Sequence, residues 1–408
     1  MAFSLSRNAK LYVTTEQTIA AMNNSNTWEI PVLDGFSFTA NTATQEIEIS
    51  EAGTTPVRGQ QVFTTAIEPV DWSIQTYMRP RYDALDSVVD SVERVLWEAL
   101  AASPTTNTVG TAADGNATTR QSGVAGGLAI DFTDSNTNEL LQLSFIFNLG
   151  TASSPVWYHI VGVVIDTCEI DFAIDAIASL TWTGFGNNVL EVVDSADLVS
   201  LTNMLTNTNG DWQDTAFPDG SAGYLPAPTG TQACIRNKLS TVTLIADSPQ
   251  LGIGGNTYTL ALTGGSLTIS NNLTFLTPES LGVVNTPCGH FTGQRVIGGN
   301  MTAYLKTGGV GDTADLLADL LTYSNGAGGA DPTNFDLTIN VGGIAAASPF
   351  DTPVVELAMT GAHLVIPVLN IEDVVSVDIG FNALPYTGAD PDPSATNELT
   401  VAYYANET

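Results

Sequence analysis

The chain has 408 residues, of which 43% are hydrophobic and only 13% are charged. This composition excludes a disordered chain, and the length favours two domains that each bury a core. The formal net charge is -32, because 11 Lys and Arg face 43 Asp and Glu. Since the few bases are scattered, the sequence also excludes a nucleic-acid binder that neutralises phosphates with clustered Lys and Arg.

The sequence shows no clear pattern of a secretory signal, a membrane span, a disulfide framework or a zinc cluster. Arg7 and Lys10 interrupt the apolar core that a secretory signal would need, so we expect synthesis in the cytoplasm. Apolar runs fall far short of the ~20 residues that cross a bilayer, so we expect no membrane partner. Cys168, Cys234 and Cys288 are too few and too far apart for a disulfide framework or a zinc cluster. They are expected to be buried free thiols.

Short alternating segments rich in Thr, Val, Ile and Gly predict a mainly antiparallel β protein. In chain order, such segments lie within 45–50, 71–78, 141–150 and 334–343. In the first of them, Ile47 and Ile49 are expected to face the core while Glu46 and Glu48 face the opposite side.

Two segments have helical periodicity instead. Apolar residues recur at helical spacing over 84–100, which predicts an amphipathic helix with an acidic outer face. Over 312–323, the leucines from Leu316 to Leu321 form the apolar stripe, and Asp312 or Thr313 can cap the start.

The order of these elements is the same in two halves of the chain, which indicates an internal duplication. Tyr77-Met78-Arg79 precedes the first helix as Tyr304-Leu305-Lys306 precedes the second. Further along, "DAIASLTW" from Asp175 corresponds to "EDVVSVDI" from Glu372. The separation between corresponding positions shortens after the helix, so the first copy holds an insertion. We assign it to the polar segment 101–127, which is typical of a long exposed loop.

The domain boundaries follow from this repeat. We predict a first domain over 1–190, a loop-like linker over 191–230, a second domain over 231–390 and a C-terminal tail over 391–408. The last part of the tail, "ELTVAYYA", is expected to add a strand.

At several stretches the chain resembles bacteriophage major tail tube proteins. They are "TLALTGGSLTISNNLTFLTPESLGVVNTPCGHFTGQRVIGGNMTAYLKTG" at 259–308, "HLVIPVLNIEDVVSVDIGFNAL" at 363–384 and, in the first copy, "DGFSFTANTATQEIEISEAGTTPVRGQQVFTTAIEPVDWSIQTYMRP" at 34–80. The resemblance implies two tandem tail-tube-type β-sandwich or barrel domains, each with a flanking α-helix. It further implies a structural virion protein that polymerises into stacked rings, whose inner sheets join to line a channel for DNA.

The duplication departs from the usual single tube domain per chain. We therefore expect homotrimeric rings with pseudo-sixfold symmetry, and a homohexamer with one copy outside the tube is the alternative. The expected partners are further copies of the chain, with the tape measure protein and passing DNA in the lumen, and a contractile sheath stays an open alternative. Segment 101–127 is either a contact to the next ring or an ordinary mobile loop.

Acidic residues in strand segments are expected to line the channel, because an acidic wall favours sliding of DNA over sticking. The candidate lumen acids are Glu46, Glu48, Glu169, Asp171, Glu372 and Asp378. Adjacent residues of a strand cannot share a face, so Glu372 and Asp373 cannot both line the lumen. Glu372 is preferred because it shares the parity of Asp378.

Catalysis is not expected. His159, His290 and His363 have no matching Ser or Cys nucleophile motif, so we predict no enzyme, no cofactor and no bound metal. The acids Glu169 and Asp171 imitate a glycosidase pair, but a solvated strand face explains them better.

The alternative function is a carbohydrate-binding or adhesive β-sandwich virion protein, such as a tail fibre or decoration protein. Trp72 and Trp182 would then stack on sugars. Core packing or anchoring at a ring interface is the preferred role for both.

Overall fold

The computed structural model describes residues 9–22, 27–47, 61–83, 88–101, 118–120, 128–133, 140–150, 154–206, 235, 237–246, 257–277, 284–324, 335–342, 354–371, 374–385 and 397–404. The protein is mainly β, and every pair of strands in this part of the chain is antiparallel apart from one isolated bridge. This confirms the predicted fold class.

The first half of the chain contains fourteen strands and two α-helices among the described residues. The strands are β1 (Lys10–Thr14), β2 (Thr27–Ile30), β3 (Ser37–Thr39), β4 (Thr42–Ile47), β5 (Gln61–Ile67), β6 (Val70–Tyr77), β7 (Pro80–Asp83), β8 (Val88–Ser91), β9 (Thr118–Arg120), β10 (Leu128–Thr133), β11 (Leu143–Asn148), β12 (Trp157–Asp171), β13 (Ser179–Gly186) and β14 (Asn188–Glu191). The helices are α1 (Arg94–Ala101) and α2 (Ser195–Thr206), and short 3-10 turns span Ile19–Ala21 and Asn237–Leu239.

The second half contains eleven strands and one α-helix among the described residues. They are β15 (Thr241–Ala246), β16 (Thr257–Leu260), β17 (Leu262–Ser270), β18 (Thr274–Leu276), β19 (Gly289–Phe291), β20 (Val296–Tyr304), α3 (Thr313–Ser324), β21 (Phe335–Val341), β22 (Val354–Leu364), β23 (Val368–Asn370), β24 (Ser376–Ala383) and β25 (Asn397–Tyr404).

The strands of the two halves pair in corresponding orders. In the first half the order is β2-β1-β11-β12-β13-β6-β3. In the second half it is β16-β15-β21-β22-β24-β20-β17. Each of these seven strands of the first half therefore has a counterpart with the same neighbours among the seven of the second half. This correspondence supports the predicted duplication.

Long strands connect two layers of sheet. β12 pairs with β11 and β14 through its N-terminal part and with β13 and β17 through its C-terminal part. β22 pairs in the same way, first with β21 and β25 and then with β24. A hydrophobic core fills the space between the layers, and Trp72 on β6 meets Phe145 on β11 with ring centroids 4.7 Å apart. The result is a two-layer sandwich, the usual way for a sheet to bury one face.

One sheet runs through both halves, because β12 pairs directly with β17. We call it the central sheet; its strand order is β3-β6-β13-β12-β17-β20-β24-β23. A second connection between the halves is the pairing of β25, at the C-terminal end, with both β22 and β10. The strand predicted for "ELTVAYYA" is confirmed as β25.

The prediction for the first helix is wrong in its N-terminal part and in its exposure. Val88–Ser91 forms strand β8, which suits its β-branched residues, and the helix covers only Arg94–Ala101. Every residue of α1 is buried, including Glu98. Glu98 accepts a hydrogen bond from Arg94 Nε over 3.0 Å, one turn earlier. The helix therefore has no acidic outer face.

The second predicted helix is confirmed as α3, and Asp312 caps it. Its Oδ1 accepts hydrogen bonds from the amides of Ala314 at 3.1 Å and Asp315 at 3.2 Å. Leu316 and Leu320 are buried, as expected of the apolar stripe, whereas Leu321 is exposed.

Several other expectations meet the structure in part. The predicted loop-like linker contains α2 at 195–206, and its remainder from 207 onward lies outside the described residues. Of the insertion at 101–127, only residue 101 at the end of α1 and strand β9 are described.

Cys168 is a buried free thiol as expected, but Cys288 is exposed, which corrects the prediction that it is buried. Cys234 lies outside the described residues.

The prediction that Ile47 faces the core is wrong. Ile47 is 42% exposed, and Ile49 lies outside the described residues. β4 pairs only with β5 among the described strands, in a two-stranded hairpin. Val62 and Phe63 on β5 are exposed as well, so within the described ranges no second layer covers this end of the hairpin.

Candidate functional site: the polar face of the central sheet

The strands of the central sheet mostly alternate between buried apolar and accessible polar residues, with Val296, Tyr304 and Val368 as exposed exceptions. On β6, Trp72 and Ile74 are buried, while Asp71 and Gln75 point to the opposite side and are exposed. β13 has the same alternation over Ser179–Gly186. Since successive side chains of a strand point to opposite faces, one face of the sheet belongs to the core and the other is free.

The register of the strands places the polar residues of all these strands on the same face. Glu169 on β12 lies opposite Thr181 on β13 and Thr268 on β17. The accessible residues of the other strands pair with one another in the same way. We call this surface the polar face. Its polar residues are Asp71, Ser73, Gln75, Thr167, Glu169, Asp171, Ser179, Thr181, Thr183, Ser266, Thr268, Ser270, Asn300, Thr302, Ser376, Asp378 and Asn382.

Hydrogen bonds between strands hold these side chains in place. Gln75 Nε2 donates to Thr181 Oγ1 over 3.2 Å. Thr302 Oγ1 donates to Asp378 Oδ1 over 2.8 Å, and Asn370 Nδ2 donates to the other oxygen of the same carboxylate. Such cross-strand pairs contribute to sheet stability and fix the orientation of the polar face.

The charge of the polar face has one sign. Its acids are Asp71, Glu169, Asp171 and Asp378, and none of the strands β6, β12, β13, β17, β20 and β24 contains Lys or Arg. The neutral residues between the acids are mostly Ser, Thr and Asn. A polyanion near this surface would be repelled by the acids, and these six strands offer no Lys or Arg to hold it.

The structure brings together three of the six candidate lumen acids. Glu169, Asp171 and Asp378 lie on the polar face. Glu46 is exposed on the separate β4–β5 hairpin. Glu48 and Glu372 lie outside the described residues, so the parity argument that favours Glu372 stays a prediction.

Asp71 is a polar-face acid that the sequence prediction missed. The signal was present in the predicted strand 71–78, where Asp71, Ser73 and Gln75 alternate with apolar residues.

The two tryptophans considered for sugar stacking are part of the core. Trp72 donates its Nε1 hydrogen to the carbonyl of Phe185 over 3.1 Å, and Trp182 donates to Thr76 Oγ1 over 3.0 Å. Both rings are buried. Neither offers a flat aromatic surface to a carbohydrate, which removes the residues on which the adhesive alternative depended.

The histidines occupy structural positions. His159 is buried on β12, and its burial lowers the pKa of its imidazole to about 4, so it is neutral near pH 7. His290 is also buried, and its Nε2 accepts a hydrogen bond from the amide of Leu140 over 3.0 Å.

Within the described ranges, His, Cys, Asp and Glu form no group of three or more that could hold a metal ion. In the same part of the chain, no helix has the length and apolar character to span a membrane.

The central sheet has one open edge in each half. In the described part of the chain, β3 pairs only with β6 and β23 pairs only with β24. Unpaired strand edges present free backbone donors and acceptors, which makes them natural sites for pairing with another chain.

An antiparallel β protein with a continuous polar sheet face and an open edge at both ends is suited to building assemblies. No family model matches the chain. It is similar to the tail tube protein pb6 of Escherichia phage T5, with 27% identity over 388 residues, which are 94% of this chain and 73% of that protein. The similarity supports a phage tail tube protein. It confirms the expectation of a structural, non-enzymatic protein that is a component of the virion tail.

Proposed function

We propose that this chain is the subunit of a phage tail tube, in which its copies close into stacked rings around a channel for DNA. The observation that carries the proposal is the similarity to tail tube protein pb6 along 94% of the chain. The open edges of the central sheet support it, because a ring of such sheets leaves no edge unpaired.

The ring is proposed to contain three chains, each with two tube domains in tandem. The corresponding pairing orders of the two halves support two domains per chain, at about 1–190 and 231–390. Each chain brings eight strands to the central sheet, four from each half. A closed barrel of three chains would have about 24 strands, more than the 16–18 strands with which porins enclose an aqueous channel.

The polar face is proposed to line the channel, because the core covers the opposite face of the sheet. The tape measure protein before DNA packaging, and the DNA during ejection, would then pass along Ser, Thr, Asn and acidic side chains. At physiological ionic strength the field of these acids reaches about 8 Å into the lumen. DNA would be held off the wall rather than bound to it, which favours rapid passage.

Symmetry-resolved electron microscopy of assembled tubes tests this function. We expect hollow tubes of stacked rings with three chains per ring and with the strands of the central sheet around the lumen. Six chains per ring would refute the trimer. Monomers that never polymerise in the presence of the other tail components would refute the tube.

The charge of the wall has its own test in virions that carry Glu169→Lys with Asp171→Lys. Both positions are exposed on the polar face. We expect slower or incomplete DNA ejection, since two lysines per chain create cationic contacts for phosphates in every ring. Glu191→Lys on β14 is the matched control, since Glu191 is an exposed acid outside the polar face. Equal ejection by both variants would contradict a lumen role for the polar face.

A further inference from the structure

The two halves of the chain are joined in both layers of the sandwich. In the central sheet, β12 pairs with β17 over residues 167–171 and 266–270. In the other layer, β10 of the first half pairs with β25, and β25 pairs along its opposite edge with β22 of the second half. We call these two contacts the inner seam (β12–β17) and the outer seam (β10–β25).

Two seams hold an angle that one seam leaves variable. A single strand pair tolerates rotation, because the twist between adjacent strands ranges over about 25° in known sheets. Packed layers lie about 10 Å apart, so a rotation of about 20° around the inner seam would displace the outer seam by about 3.5 Å. An N–H···O bond keeps its strength only between about 2.7 and 3.2 Å, so this rotation would break the outer seam.

The outer seam is part of the hydrophobic core. Ile130 lies opposite Val401, and Phe132 lies opposite Leu399. All four side chains are 0% exposed. Opening the seam would bring these apolar side chains into contact with water, which opposes any rotation of the two halves.

An ion pair ties the outer seam to the second half. Arg295, which directly precedes β20, pairs through Nε with the carboxylate of Glu398 on β25. The guanidinium carbon of Arg295 also lies 5.7 Å from the centroid of the Phe132 ring on β10. One side chain thus contacts both strands of the seam. The side chains of Arg295 and Glu398 are only 16% and 14% exposed, so salt screens their attraction weakly.

Two hydrogen bonds tie the outer seam to the first half. Thr400 Oγ1 on β25 donates to Asp131 Oδ1 on β10 over 2.6 Å. The Tyr403 hydroxyl on β25 accepts a hydrogen bond from Trp97 Nε1 of α1 over 2.7 Å. β25 is therefore fastened by side chains from both halves of the chain.

The internal duplication shows where the outer seam occurs. β14 is the counterpart of β25, because β12 and β22 hold corresponding places in the two pairing orders. On β12, His159 lies opposite Leu190 of β14, and on β22, Ala358 lies opposite Thr400 of β25. Among the described strands, however, β14 pairs only with β12. In this part of the chain, the outer seam thus occurs only between the two halves.

We propose that β10 and β25 form a clamp that fixes the angle between the two halves before the chain assembles. The chain then brings its share of the curvature of the ring with it, and assembly requires no rearrangement within a chain. This second statement rests on the proposed tube, whereas the clamp is a property of the single chain.

Spin labels on Glu191→Cys and Thr259→Cys measure the angle between the halves. Both positions are exposed, one lies in each half, and neither lies in a seam. Cys288→Ser and Cys234→Ser remove other thiols. Pulsed electron paramagnetic resonance should give one narrow distance distribution, at the same distance in the unassembled chain and in tubes. In tubes, labelled chains are diluted with unlabelled ones, so that only distances within one chain are measured.

Charge reversal at Arg295 should open the clamp. Arg295→Glu places two carboxylates against each other, so the distribution should broaden by several ångströms, the displacement that a rotation of about 20° produces. Glu398→Arg added to Arg295→Glu should narrow it again. Lys10→Glu is the matched control, because it breaks an ion pair with Glu29 that lies within the first half, and it should leave the distribution narrow. A folded Arg295→Glu chain with the wild-type distribution would refute the clamp.

A disulfide across the outer seam keeps the clamp testable if Arg295→Glu does not fold. Asp131→Cys and Thr400→Cys lie directly opposite each other, where Cβ atoms are about 4.5–5.5 Å apart, near the range that a disulfide bridges. In the unassembled chain, oxidised glutathione should cross-link this pair rapidly, measured as loss of free thiols. Asp131→Cys with Ala402→Cys is two residues out of register and should cross-link far more slowly. Equal rates for both pairs would mean that the seam is open and would contradict the clamp.

The outcomes separate this inference from the proposed function. Tubes formed by a chain whose label distance is broad, or changes on assembly, would overturn the preset angle and leave the tube intact. A narrow distribution in a chain that never forms tubes would support the clamp and overturn the tube instead.

Discussion

Glu93 provides a pH-dependent test of the core near α1. Its side chain is fully buried between β8 and α1. Burial raises the pKa of Glu93 from 4.5 to about 8, and the attraction of Arg79 only partly opposes this effect. The folded chain therefore holds this carboxyl in its protonated, neutral form at neutral pH.

The sign of the effect follows from the raised pKa. Below pH 4.5 Glu93 is protonated in both the folded and the unfolded chain, and its contribution to the free energy of unfolding is at its maximum. As the pH rises toward 8, the unfolded chain loses the proton first, so the free energy of unfolding falls. One pKa unit corresponds to 1.36 kcal/mol, which sets a ceiling of about 5 kcal/mol for the loss, and relaxation of the core reduces it to a few kcal/mol.

Glu93→Gln replaces the titrating group by a neutral side chain of the same shape. Denaturant unfolding of the unassembled chain should give similar stabilities for wild type and variant at pH 5. At pH 9 the variant should be more stable by a few kcal/mol, because it has no proton to lose. The measurement is the urea midpoint at pH 5, 7 and 9.

Glu169→Gln is the control for this experiment, because it removes an exposed acid from a chain of net charge -32 without touching the core. It should not show the gain in stability at pH 9 that is expected of Glu93→Gln. If Glu93→Gln behaved in the same way, the assignment of a protonated buried glutamate would be refuted.

Three further predictions concern single side chains, each measured by chemical denaturation of the unassembled chain. Gly299→Ala should cost about 1–3 kcal/mol, because its Cβ would collide with the Ser266 carbonyl, whereas Gly264→Ala meets only Ala173 at an ordinary 3.6 Å and should be nearly neutral. Asp312→Ala should cost about 1–2 kcal/mol, because it removes the buried cap of α3, and Asp194→Ala, which removes an exposed cap from α2, should cost less. Trp97→Phe should cost about 1–3 kcal/mol, because the buried hydrogen bond of 2.7 Å that Trp97 Nε1 donates to the Tyr403 hydroxyl would be lost.

Local signals were sufficient for elements whose stability is local. α3 has a capping Asp312 and an apolar stripe within twelve residues, and both are visible in the sequence. Helix α1 was harder to predict, because Val88 and Val89, which precede it, fit a helical period as well as a strand. The antiparallel pairing of β8 with the preceding strand β7 decided the outcome, and the spacing of apolar residues in the segment does not reveal this pairing.

The central sheet as a whole could not be predicted, because its key contact is non-local. β12 and β17 meet across roughly a hundred residues of chain, through a register that no periodicity specifies. The alternation within each strand did predict which residues share a face, and it placed Glu169 and Asp171 correctly together. It failed for Ile47, because alternation shows that a strand has two faces but not whether a second layer covers one of them.

The positions of the acids on the polar face explain how an acidic surface is compatible with a stable sheet. Like charges directly opposite each other in a sheet destabilise it. Each polar-face acid instead faces neutral residues on both neighbouring strands: Asp171 faces Ser179 and Ser266, and Asp378 faces Thr302 and Val368. Negative charge is thus spread over the face with hydroxyl groups between the carboxylates. An arrangement that concentrated the same acids in one row would repel DNA as well, but at the expense of the strand pairing on which the proposed ring depends.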